Sequence, residues 1–121
     1  MTVRGIRGAI SVEANTTQAI RKATIELLEQ IIEKNEVNLE DISCVIFTMT
    51  QDLDALYPAA AAREIGFSQV PLLCFNEMKI QGSMEKVLRV LMLVNTEKTQ
   101  KEIKHVYLGQ AQKLRPDLTE E

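Results

Sequence analysis

Three features of the sequence predict a single α/β domain. Val87 to Val94 is a run of β-branched and long apolar residues, which reads as a strand buried on both faces. Ile20, Ala23, Leu27, Ile31 and Ile32 recur at helical spacing, with Arg21, Lys22, Glu26, Glu29, Glu33 and Lys34 mostly on the opposite side. Val3 to Ile10 alternates, and Ile42 to Met49 is rich in Ile, Val, Phe and Thr, so strands precede and follow that helix. At 121 residues the chain is read as one domain, 1–121, able to bury roughly two thirds of its unfolded surface.

Taken in order, the first strand places Val3, Gly5, Arg7 and Ala9 on one face, so a guanidinium sits between two very small residues. Either Arg7 is an edge-strand arginine in solvent or it meets a ligand. Asn15-Thr16-Thr17-Gln18 resembles a capping box, and the helix it opens should stop near Asn35, a residue tolerant of the left-handed conformation. Asn38 to Asp41 is a turn. After the second strand and the polar loop 50–54, Pro58 fits the first turn of a short helix through Ile65, closed by Gly66. Its four alanines make it thin, and Arg63 lies one turn after Ala59 and Ala60. Val70 to Cys74 is a third strand, and Gln81-Gly82-Ser83 turns the chain toward the Val87 strand. Asn95 to Glu102 is a loop with room for a helical turn. A last strand begins at His105, with His105 and Tyr107 on one face, and the tail after Leu114 is acidic and mobile.

Arg89 stands out. Alternation puts it on the same face as Val87, Leu91 and Leu93, and an unpaired guanidinium buried there would cost several kcal/mol by order of magnitude. It needs an anion: Glu77, just upstream, or a bound carboxylate. A structural ion pair and a functional contact both satisfy that need.

Composition removes several function classes. A net charge of -3 gives no basic footprint for nucleic acid, and an aromatic content of 4% without tryptophan gives no stacking platform. The longest apolar run, Val90 to Val94, is too short for a bilayer, and the N-terminus carries no signal core. Cys44 and Cys74 are too far apart for a C-x-x-C pair, which fits a reducing cytoplasm. One histidine and two dispersed cysteines make no standard zinc site, and no phosphate-binding or nucleophile-elbow motif is present, so neither metal nor cofactor is expected. A Cys74–His105 pair has no support from spacing.

What remains is Arg7, Arg63, Arg89 and Arg115, with one carboxylate, Glu77, and one phenol, Tyr107. Arginines set on strands or beside small residues in an acidic chain suggest a focused anion pocket. The guanidinium fork favours carboxylates, so a ligand with two carboxylates and a hydroxyl would match. Such a site could catalyse by positioning and charge stabilisation alone.

Arg4-Gly5-Ile6-Arg7-Gly8-Ala9, the Asp52 to Ala59 loop, Cys74-x-x-Glu77-Met78, Arg89-Val90-Leu91-Met92, His105-Val106-Tyr107-Leu108 and Leu114-Arg115-Pro116-Asp117-Leu118 together resemble the bacterial monofunctional chorismate mutases of the trimeric, non-helical class. The resemblance runs nearly end to end. It implies an α+β mixed sheet assembled as a pseudo-α/β-barrel homotrimer, with sites in clefts between neighbouring subunits. It implies conversion of chorismate, a dicarboxylate with a ring hydroxyl, to prephenate by an intramolecular Claisen rearrangement on the route to phenylalanine and tyrosine. By the same resemblance Arg89 would serve the ether oxygen of the breaking bond and a carboxylate, Arg7 and Tyr107 would hold the side-chain carboxylate, and Glu77 and Cys74 would contact the ring hydroxyl region. Tyr57 and Leu114 would be apolar walls, Ala59 and Leu73 would line the substrate site, and Arg63 and Arg115 would stand at the rim. Three departures fall at that rim: Ala60 in place of a common lysine, Leu73 in place of a small polar residue, and Tyr57 in place of phenylalanine. The competing readings are a non-catalytic trimer that binds a carboxylate metabolite, a related trimer acting on imines or enamines, and a structural trimer in which Arg89 and Glu77 only neutralise each other.

Overall fold

The apolar runs pair into one five-stranded sheet in a computed structural model that describes residues 1–116. The chain runs β1 (Thr2–Ser11), α1 (Thr17–Asn35), β2 (Ile42–Met49), α2 (Pro58–Glu64), β3 (Leu72–Asn76), β4 (Val87–Thr96) and β5 (Val106–Leu108). Single 3-10 turns fall at Leu39–Asp41, Phe67–Gln69 and Gln100–Glu102, and a longer one at Gly109–Lys113. The sheet order is β3-β2-β4-β1-β5. β4 is antiparallel to β1 and β2, while β2–β3 and β1–β5 are parallel, so the sheet is mixed. The acidic tail lies outside the described residues from position 117 on.

β1 is an interior strand, which removes the edge-strand reading of Arg7. β4 is central but is not covered on both faces. Leu88, Val90, Met92 and Val94 are buried with Ile6 and Ile10 of β1, Val45 and Phe47 of β2, and Ile20, Leu27, Leu28 and Ile31 of α1. Each fully buried leucine or isoleucine there stabilises the fold by about 1.5–3 kcal/mol. The face that carries Arg89 stays open in the single chain, with Leu91 37% exposed. Across that face Val3, Leu73 and Phe75 are more than half exposed.

α1 ends at Asn35, as the sequence predicts, but its capping residues differ from those expected. Thr16, not Asn15, is the N-cap, and its hydroxyl accepts from the Ala19 amide at 3.1 Å. Glu36, not Asn35, takes the left-handed conformation. Asn35 is instead buried, donating to the Ile31 and Lys104 carbonyls and accepting from the Lys104 amide at 2.8 Å. A buried amide left without partners would cost about 1–3 kcal/mol, so this set ties the end of α1 to the approach of β5. β3 runs two residues further than the sequence indicated, to Asn76, and β5 starts at Val106.

Gly8 lets α1 sit close on the sheet. A Cβ there would lie 2.7 Å from Ile31 Cδ1 and 3.1 Å from Leu27 Cδ1. Gly8→Ala should therefore lower stability by about 1–3 kcal/mol through overpacking, read as a lower denaturation midpoint with an unchanged slope.

Candidate active site

Strand register builds the centre of the site. Phe75, Thr48, Arg89, Ala9 and Tyr107 are successive partners across all five strands, on the face away from α1. Arg89 Nε donates to Glu77 Oε2 at 2.8 Å, so the anion required by the sequence is Glu77. The same oxygen accepts from Thr48 Oγ1 at 2.7 Å. Glu77 leaves β3 with its amide on the Met49 carbonyl at 2.8 Å. Its side chain is 16% exposed, against 43% for Arg89. Among the described residues the Arg89 side chain has no other hydrogen-bond partner, and it is 43% exposed.

Tyr107 is buried beside Ala9, Val87 and Ala111, with Leu114 and Met84 packed on that cluster. The small Ala9 side chain separates the phenol from Arg89 along the row. Arg7 lies two residues before Ala9 on the same face, paired with Leu91, and its side chain is exposed. It borders a cleft of about 500 Å³ that also touches Arg4, Leu91, Gln100 and His105.

His105 has a role the sequence did not disclose: its Nδ1 accepts the Arg7 amide at 2.9 Å. Burial, then the nearby Arg7 and Arg115 cations, hold its pKa below the ordinary value. The neutral ring is thus favoured by folding. Its contribution is present above the unfolded pKa of 6.5 and is lost as pH falls through the lower folded value. Melting temperature should drop as pH falls from 6.5 toward the lower folded value, and His105→Asn, which keeps an acceptor but cannot titrate, should flatten that slope.

A second group lies elsewhere. Pro58 starts α2 at N1, and Ala59, Ala61 and Ala62 are buried against its neighbours. Cys74, partnered with Phe47, packs on the core side of the sheet. Its thiol is pushed up by burial, while the Ala59 amide bonded to it and the nearby Arg63 charge pull the other way. Tyr57, 72% exposed, shares with Cys74 and Phe75 a cleft of about 360 Å³. Asn15 steadies the loop before Tyr57, accepting from the Asp54 and Ala55 amides at 2.9 and 3.0 Å.

One chain therefore joins Arg89, Glu77 and Tyr107, with Arg7 further along the face and Leu114 behind the phenol. It joins Tyr57, Ala59, Arg63 and Cys74 separately. Leu73, on the open face of β3, points away from Cys74. Arg115 lies close enough to His105 to influence its charge. Thr48 carries no local signal in the sequence, because its importance rests on standing opposite Arg89, a non-local register.

The profile of the family chorismate mutase type I matches residues 3–118. The chain is 51% identical over 117 residues to chorismate mutase AroH of Thermus thermophilus, covering 96% of each chain. It is 45% identical over 120 residues to chorismate mutase AroH of Bacillus subtilis, covering 98% of this chain and 94% of that one. A solved chorismate mutase from Clostridium thermocellum superposes with a TM-score of 0.88 at 49% identity, covering 90% of this chain and 97% of the other. With Arg89, Glu77 and Tyr107 held together on such a sheet, the chain belongs to the chorismate mutase type I family, an isomerase family.

Proposed function

We propose that this chorismate mutase converts chorismate to prephenate with Arg89 as its principal catalytic residue, in a site completed by a neighbouring subunit. The observation that supports it most is the Arg89 guanidinium, held through Nε by Glu77 while its side chain stays 43% exposed. As the C–O bond of chorismate stretches, negative charge grows on the ether oxygen. A guanidinium already fixed at that point binds the transition state better than the substrate and needs no reorganisation during the reaction. Arg7 and Tyr107, on the same face, hold the side-chain carboxylate, and Glu77 reaches the ring hydroxyl region.

Two observations favour a homotrimer. The open sheet face carries Val3, Leu73, Leu91 and Phe75, an apolar surface that a soluble chain covers with a partner. The Tyr57–Ala59–Arg63–Cys74 group faces elsewhere from Arg89, so it completes the site of a neighbour. Tyr57 then walls the substrate, and Arg63 and Arg115 guard the rim. Two free cysteines suit the cytoplasm, and among the described residues no helix is long and apolar enough to cross a membrane.

The test is direct. Purified protein mixed with chorismate should remove the substrate's ultraviolet absorbance, and acid should convert the product to phenylpyruvate. No turnover above the uncatalysed rate, with chorismate still raising the melting temperature, would replace this reading with a carboxylate-binding trimer.

A further inference from the structure

The last residues of β2 and the loop after it hold both halves of the Arg89–Glu77 pair. On one side Thr48 Oγ1 and the Met49 carbonyl fix Glu77. On the other, the Thr50 amide donates to the Val87 carbonyl at 3.1 Å, and Thr50 Oγ1 accepts from the Val87 amide at 3.1 Å. That hydroxyl donates to Asp52 Oδ1 at 2.5 Å. The Asp52 carboxylate also accepts the Lys86 amide on both oxygens, at 3.2 and 3.1 Å.

Lys86 is strained. Its φ is 54°, in the left-handed region that a lysine adopts only at a cost of order 1 kcal/mol. The charge-assisted bonds that the Lys86 amide donates to Asp52 offset that cost, and the Lys86 carbonyl accepts from the Val12 amide at 2.8 Å. β4 begins at the next residue, and Arg89 is its third. The segment between Glu77 and Lys86 cannot set their spacing itself. It has no regular structure, and Met78 and Ile80 are 81% and 56% exposed.

We propose that Asp52 is a positioning residue of the mutase reaction: by holding Lys86 in its left-handed conformation it fixes where β4 starts, and so where the Arg89 guanidinium stands against Glu77. This rests on the reading of Arg89 given above and adds a residue outside the substrate site. Asp52 touches no reacting atom. It acts through the backbone.

The experiment measures kcat and KM of wild type, Asp52→Ala, Asp52→Asn and the double variant Asp52→Ala/Lys86→Gly, at a temperature where each is folded by circular dichroism. Asp52→Ala should lose kcat by about 10²-fold with a far smaller change in KM, as small displacements of a catalytic group do. Asp52→Asn keeps an acceptor and should retain most of kcat. Glycine takes the left-handed conformation without strain, so the double variant should recover most of the lost kcat. If Asp52→Ala alone does not fold, the double variant, relieved of the strain, carries the same test. Full kcat in Asp52→Ala with only a lower melting temperature overturns the proposal, as does a double variant that stays slow. A wild-type protein without chorismate turnover is a different failure: it removes the mutase reading, and this proposal with it.

Discussion

Arg89→Gln should lower kcat by on the order of 10²-fold or more, about 3 kcal/mol of barrier, with a much smaller effect on KM. The asymmetry follows from when the interaction is made. Glutamine can still donate a hydrogen bond to a bound carboxylate, so ground-state binding survives in part. It cannot place a full positive charge against an oxygen that becomes anionic only as the bond breaks, and that term enters kcat alone. The substitution also leaves Glu77, 16% exposed, with Thr48 as the remaining partner of its carboxylate among the described residues. Some stability will go with it, so kcat is to be compared below the variant's own melting transition. Glu77→Gln separates the two contributions of the pair. If Glu77 serves only to hold the guanidinium, the neutral amide should do so poorly and cost kcat in proportion. Near-normal kcat in Arg89→Gln would remove electrostatic stabilisation by this residue from the mechanism.

Much of this arrangement was legible in the sequence, for reasons that differ by residue. The limits of β2, Ile42–Met49, and the Pro58 start of α2 follow from local chemistry: a β-branched run and a ring that pre-sets φ. The Arg89–Glu77 pair was legible as one of two options, the other being a bound carboxylate, because a guanidinium cannot become neutral and seeks an anion even where, as here, it is 43% exposed. What the sequence could not disclose is set by non-local pairing. Thr48 matters because register puts it opposite Arg89, and His105 because β5 brings its ring to the Arg7 amide. Neither contact has a local signature. The sequence predicts β4 buried on both faces, and the structure corrects this: an apolar run shows that a strand suits burial, and says nothing about whose atoms would cover it. One face is covered by α1 of the same chain. The other, with Leu91 and Leu93 beside Arg89, is open here, as a strand destined for a subunit interface would be.

That open face leads to the most discriminating expectation, which concerns mixtures. Arg89→Gln and Arg63→Ala proteins should each be strongly impaired if every site takes Arg89 from one subunit and Arg63 from its neighbour, as in the assembly proposed above. Unfolded together in equal amounts and refolded, they should regain about a quarter of the wild-type activity. A site is intact only where an Arg63→Ala subunit supplies Arg89 to an Arg89→Gln neighbour that supplies Arg63, and random assembly gives each member of that ordered pair with a chance of about one half. The regained activity should scale with the product of the two fractions in the mixture, peaking at equal amounts. If both arginines served the same subunit's site, no mixture could contain an intact site, and activity would follow the weighted mean of the two parents at every ratio. The separation of the Arg89–Glu77–Tyr107 group from the Tyr57–Ala59–Arg63–Cys74 group within one chain favours the first outcome, because Arg63 acts on Cys74, whose partner Phe47 is on the core face, whereas Arg89 starts from the opposite face. Mixing also removes the ambiguity of single substitutions. A variant that merely misfolds cannot be rescued by a partner that lacks a different side chain, whereas two folded halves of one site can complete each other.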